Sequence, residues 1–166
     1  MDGQIDLVEQ SQLVQKLNRD LDPTSSDSLE RDQQGQANKF NYNYWSSPLD
    51  AINSTTNNNS FTVAQVLRDG TNPAAPGIIT CINGFDGAKS AFSLARFWFY
   101  KFDNLVNNYS CWTQIGETGL LMAIKGSTFQ GTETTGTQNL TFTEKPNNGT
   151  VTNIVGSDLL LLLGNR

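Results

Sequence analysis

Short apolar or alternating runs, interrupted roughly every 8 to 12 residues by clusters of Gly, Asn, Asp, Ser, Thr and Pro, constrain the fold more than any other feature of this chain. A stable helix needs apolar residues at three- and four-residue spacing over several turns, and few windows supply that. A strand needs only a short stretch between turn signals, and many windows do. The chain is therefore expected to be mainly β, as an antiparallel β-sandwich-like module with short N-terminal solenoid-like rungs. Its 166 residues suffice for one sizeable core and exclude two large domains.

The runs differ in quality. Lys39–Trp45 (KFNYNYW) alternates, placing Phe40, Tyr42 and Tyr44 on one strand face and Asn41 and Asn43 on the other. Leu94–Phe102 (LARFWFYKF) is nearly apolar throughout, which predicts a strand buried on both faces. Tyr109–Ile115 (YSCWTQI) is expected to pair antiparallel with it across the Asn-rich stretch 103–108. Further strands are expected at Ile78–Ile82, Leu120–Lys125, Asn139–Glu144, Gly149–Val155 and Asp158–Leu163. Phe61, Val63, Val66 and Leu67 suit a short helix or a strand equally, before turns at Asp69-Gly70 and Asn72-Pro73. Residues 53–60 (NSTTNNNS) have nothing to bury and read as an exposed loop.

Residues 1–35 read as successive rungs: short pieces around Ile5–Leu7 and Leu13–Leu17, a turn cluster at Leu21–Ser28, and a short polar strand Leu29–Gln34 closed by Gly35. A helix over 5–19 is the competing reading. So few residues cannot bury enough apolar surface alone, so they are expected to pack on a main body spanning 36–166. At the other end, five consecutive leucines, Leu159–Leu163, place side chains on both faces of a strand, which is expected either to be incompletely covered within this chain or to be a central strand buried on both faces.

The chain contains no histidine, which removes Ser-His and Cys-His nucleophile pairs and the imidazole base. Cys81 and Cys111 lie too far apart in sequence for a CxxC motif and read as two packed thiols, with a disulfide as the alternative. A net charge of −5 without a basic run disfavours nucleic acid. No apolar run approaches membrane-spanning length, so insertion is not expected, and the N-terminus MDGQIDLVEQ does not read as a signal peptide. The sequence implies no cofactor and no metal site: the Asp and Asn clusters at 20–27 and 103–108 lack the spacing of a calcium loop and suit turns. Among carboxylates, Glu117 with Glu133 or Glu144 is the pair to test for glycoside hydrolysis, the least favoured function class.

At Leu29–Leu49 (LERDQQGQANKFNYNYWSSPL), with LRDGTN at 67–72, KPNNG at 145–149 and LLGN at 162–165, the chain resembles a segment of the large secreted or surface proteins of flavobacteria and other Bacteroidetes. The likeness runs in order over almost the whole chain. It implies export by type IX secretion, a secreted or cell-surface location, a position after β-solenoid-like repeats, and a piece truncated at the C-terminus, where that family continues into a Pro-Tyr-Pro motif. Asp27-Ser28-Leu29 resembles the O-glycosylation sequon of that phylum, and N-x-S/T matches begin at Asn53, Asn58, Asn108, Asn139 and Asn148.

The function expected is that of a non-catalytic structural or adhesion module of an extracellular protein, partnered by the rest of its polypeptide and by polysaccharide or other surface components. The alternative is a carbohydrate-binding module, because flat aromatic rings accept the apolar faces of sugars while amides meet their hydroxyls. Trp45, Trp112 and Tyr109 are the candidate binding residues, supported by Tyr42, Tyr44 and Tyr100. Trp98, inside the apolar run, is expected in the core rather than on such a platform, and core packing is weighed above a platform for Trp45 and Trp112 as well.

Overall fold

The computed structural model describes residues 4–7, 28–47, 49–50, 60–103, 111–123, 125–133 and 135–146. The first elements are β1 (Gln4–Leu7), β2 (Ser28–Gln36), β3 (Tyr42–Trp45), β4 (Leu49–Asp50) and β5 (Phe61–Thr62), followed by a single helical turn, α1 (Val63–Val66). β6 (Leu67–Asp69), β7 (Gly77–Ile78), β8 (Thr80–Ile82) and β9 (Ser93–Ala95) then lead to a 3-10 turn at Arg96–Trp98. β10 (Tyr100–Phe102), β11 (Trp112–Gln114), β12 (Leu120–Leu121), β13 (Ser127–Gln130) and β14 (Thr137–Pro146) complete the described elements. The protein is mainly β, with several sheets and mostly antiparallel pairing. Among the described residues there is no solenoid, no closed barrel, and no helix long and apolar enough to cross a membrane.

β14 organises a six-stranded sheet. It pairs antiparallel with β2 from Thr137↔Gln36 to Glu144↔Leu29, with β6 on its other side, and with β4 at its end. β7 extends the sheet beyond β6, and β1 joins β2 in parallel register. Leu140 and Phe142 alternate with polar neighbours and are buried with Leu29 and Leu67, and a one-residue slip would move them to the face that the fully buried Thr141 occupies. The second sheet has four strands in the order β11, β10, β13, β3, all antiparallel.

Both sheets supply the core. Leu29, Leu67, Leu140 and Phe142 come from the larger one, Trp45 and Phe129 from the smaller, and Phe61, Val63, Val66, Leu94, Phe99 and Leu121 fill in from the connecting segments. Trp45 stacks on Phe129 with centroids 5.6 Å apart and planes 3° from parallel, and its ring lies 6.0 Å from Phe142 in the other sheet. Each such aromatic pair adds about 0.5–1.5 kcal/mol beyond the area it buries.

Several expectations are corrected. Leu94–Phe102 is not one strand buried on both faces: the 3-10 turn splits it, so that β9 pairs parallel with β8 and β10 joins the four-stranded sheet. Leu94 and Phe99 are buried, whereas Phe102 is exposed. Ile78–Ile82 also divides, β7 and β8 lying in different sheets, with Ile78 83% exposed. Gly35 does not close a strand; β2 runs through it and ends at Gln36. Phe40 lies in a turn before β3 rather than on its aromatic face. The 61–67 segment takes both of its alternatives, a strand residue pair and then a helical turn that buries Val63 and Val66, three positions apart. Of the expected pairing with Leu94–Phe102, the described part is β10 against β11, with Phe102 opposite Trp112.

The segments around Leu13–Leu17, Leu21–Asp27, 53–59, 104–110, Gly149–Val155 and Asp158–Leu163 lie outside the described residues, as does the competing helix beyond residue 7.

Candidate functional site

The outer face of the four-stranded sheet carries the concentration of rings. Across the strands, Tyr44, Thr128, Tyr100 and Gln114 stand in register on β3, β13, β10 and β11. Side chains two residues along a strand share its face, so Tyr42 joins Tyr44, and Trp112 joins Gln114. Thr128 is short and 3% exposed, so it forms a floor between taller neighbours, its hydroxyl donating to the Trp98 carbonyl at 3.4 Å.

Tyr42, Tyr44, Tyr100, Trp112 and Thr128 line an open bowl of about 320 Å³. Its wall is a contiguous set of rings: Tyr44 lies 5.9 Å from Trp112 and 6.5 Å from Tyr42, and Tyr42 meets the edge of Trp98 at 5.8 Å. Phe102, opposite Trp112 across the strand pair, packs edge-on against it at 5.2 Å. Tyr44 is 71% exposed and Trp112 37%, so both keep free surface. The size falls at the lower end of small-ligand pockets, and the chemistry combines apolar ring faces with phenol hydroxyls. Burial, with Tyr100 and Tyr44 nearby, raises the Tyr42 pKa above that of an ordinary phenol, so its hydroxyl stays neutral and both donates and accepts. Among the described residues, no carboxylate or cation lines the bowl.

The candidate residues fare differently. Trp112 is in the bowl. Tyr109 lies outside the described residues. Trp45 is corrected: it follows Tyr44 on β3, points to the opposite face, and is only 8% exposed in the core. Trp98 is corrected in the other direction, being half-buried at the site margin with its indole N–H donated to the Phe85 carbonyl at 2.6 Å. The YNYW alternation already separates Tyr44 from Trp45; Thr128 carries no comparable signal, since its place depends on pairing between distant strands.

Asn43 shares the buried face with Trp45. Its side-chain amide accepts from the Gln36 N–H at 2.8 Å and donates to the Gln36 carbonyl at 2.9 Å, tying β3 to the end of β2 at the residue between Tyr42 and Tyr44.

The proposed carboxylates are engaged separately. Glu117 pairs with Arg96 at 3.1 Å and Glu133 with Lys89 at 2.9 Å, while Glu144 is buried opposite Leu29 in the large sheet. Asp103 is flanked by Lys101 and Lys125, each at 3.4 Å. No group of three or more metal-ligating side chains occurs among the described residues. Cys81 and Cys111 remain thiols without a disulfide; burial pushes the Cys81 pKa up to about 11, aided by Glu117 and opposed by Arg96. Of the N-x-S/T positions only Asn139 is described, exposed on β14 and accepting from Gln34 at 3.2 Å. Ser28 of the O-glycosylation-like triplet stands at the start of β2, opposite Gln4.

No protein-family model, no curated protein and no solved structure matches the chain.

Proposed function

We propose that this chain is a non-catalytic structural and adhesion module of an extracellular bacterial surface protein, and that its adhesive contact is carbohydrate held in the Tyr42–Tyr44–Tyr100–Trp112 bowl. The observation that carries the proposal is a set of exposed rings around a neutral, hydroxyl-bearing hollow, which suits a pyranose with one apolar face and a polar rim. The sharing of one core by two sheets supports a sandwich-like body, and the parallel step from β1 to β2 supports rung-like packing of the N-terminal residues. The extracellular setting, and export by type IX secretion, rest on the resemblance at Leu29–Leu49.

Affinity electrophoresis against immobilised neutral polysaccharides is the test. Retardation of the wild-type chain, lost in Trp112→Ala and Tyr44→Ala variants that keep their circular dichroism, is expected. Binding unchanged in both variants, or polysaccharide cleavage by the purified protein, would overturn the reading.

A further inference from the structure

Beside the bowl lies a second open groove of about 360 Å³, lined by Asn83, Gly84, Phe85, Arg96, Phe97, Gln114, Ile115 and Gly116. The two hollows adjoin. Gln114 stands opposite Tyr100 of the first and also lines the second, while Trp98 bridges them, touching Tyr42 on one side and Phe97, at 4.7 Å, on the other. Phe85 meets Phe97 edge-on at 4.8 Å and lies 6.2 Å from Trp98, so the ring array continues without a break from Trp112 through Tyr44, Tyr42 and Trp98 to Phe85.

Two glycines in the left-handed region line the second groove. Gly84 and Gly116 both have positive φ, 101° and 59°, and the space beside each is empty. A side chain there would be strained. The Trp98 plane is fixed by its bond to the Phe85 carbonyl, and Gln114 Nε2 donates to the Phe97 carbonyl at 2.8 Å, leaving its own carbonyl oxygen as an acceptor. Arg96 is already bound to the Cys81 carbonyl at 2.8 Å and to Glu117, so the cation is neutralised and the groove does not select an anion. Phe85 is 63% exposed, a large apolar face left to solvent at the end of the array.

Building on the carbohydrate reading of the bowl, we infer that the site binds an internal stretch of a linear neutral polysaccharide, one sugar in the bowl and the chain continuing past Trp98 into the Phe85–Phe97 groove. Ring faces carry the apolar side of successive sugars, and Gln114, Asn83 and the free Arg96 N–H groups meet hydroxyls. A site of this kind reads chain length, because a ligand confined to the bowl leaves the second groove unused.

Isothermal titration with cello-, laminari- and malto-oligosaccharides of one to six glucose units, using the full chain, tests this. For the series that binds, affinity should rise as the ligand grows beyond one sugar. Phe85→Ala or Asn83→Ala should flatten that rise, with a loss of about three- to tenfold for the longer ligands, as expected when one ring or polar contact goes. Binding of the shortest ligand should be unchanged. Length-independent affinity that still needs Trp112 would overturn the extended track and leave the bowl standing. Absence of binding by every series and by the immobilised polysaccharides would overturn both.

Discussion

A Cβ placed on Gly35 would lie 2.6 Å from Cζ2 of Trp45, closer than any real contact allows. Gly35 sits inside β2, where glycine ordinarily weakens a strand, and the Trp45 indole occupies the space its missing side chain leaves. The residue that looks like punctuation in the sequence is a packing site between the two sheets.

Gly35→Ala is therefore expected to destabilise the protein by about 1–3 kcal/mol, because Trp45 must leave its stack on Phe129 to admit the methyl group. Gly77, also in a strand, has its nearest neighbour at 3.8 Å, so Gly77→Ala should be neutral or stabilising by up to about 1 kcal/mol. Urea denaturation midpoints of the two variants provide the comparison.

Two tryptophans of the four-stranded sheet, Trp45 on β3 and Trp112 on β11, should separate stability from binding. Trp45→Ala should cost about 3–5 kcal/mol through lost burial and a cavity. Trp45→Phe should retain most of that stability, since it keeps a ring and removes an indole N–H that is buried without a hydrogen-bond partner. Trp112→Ala should cost about 1 kcal/mol or less while abolishing polysaccharide retardation. Thermal melts run beside affinity gels would show the split.

Two carboxylates should give opposite pH signatures. Burial, then Asp6 and Asp32, hold the Glu30 pKa above its ordinary 4.5, against an opposing hydrogen bond from Gln4. Its folded state favours the proton, so its contribution is present at pH below 4.5 and lost as pH rises through the raised value. Glu30→Gln should thus stabilise by on the order of 1 kcal/mol at pH 7 and show no gain at pH 3. For Asp103, burial acts to raise the pKa, but the Thr113 hydrogen bond together with Lys101 and Lys125 outweighs it and holds the group below 3.8. Its contribution is present above that value and lost as pH falls through the lowered one. Asp103→Asn should destabilise at pH 7, with the difference closing in acid. Denaturation curves at several pH values check both: a Glu30→Gln gain that persists at pH 3, or an Asp103→Asn difference that persists in acid, would contradict them.

The cysteines should be slow nucleophiles. With a pKa near 11, Cys81 carries roughly a hundredfold less thiolate than an ordinary cysteine, and Cys111 is buried. Iodoacetamide at pH 8 should label the native protein far more slowly than the urea-unfolded one, and intact mass should show two thiols. Fast labelling at Cys81 in the folded state would contradict its raised pKa.

Local backbone chemistry was legible without a structure. The β class follows from runs too short for helices, and the Asp69-Gly70 turn is sealed by Asp69 Oδ1 accepting the Thr71 N–H at 2.9 Å, an interaction contained within three residues. Strand alternation likewise places Tyr42 and Tyr44 on one face and Asn43 and Trp45 on the other. Which face is inside was not legible, because burial depends on what distant segments cover. Phe129 and Phe142, more than eighty residues away in sequence, bring Trp45 into the core, while Trp98, inside the aromatic run Leu94–Phe102, is left half-buried at the 3-10 turn. The bowl has the same origin. β13 has one large apolar residue and no strong strand signal, and only its insertion between β3 and β10 sets Thr128 below Tyr44 and Tyr100. Periodicity is a property of neighbouring residues; the site is a property of register between strands, which long-range pairing alone decides.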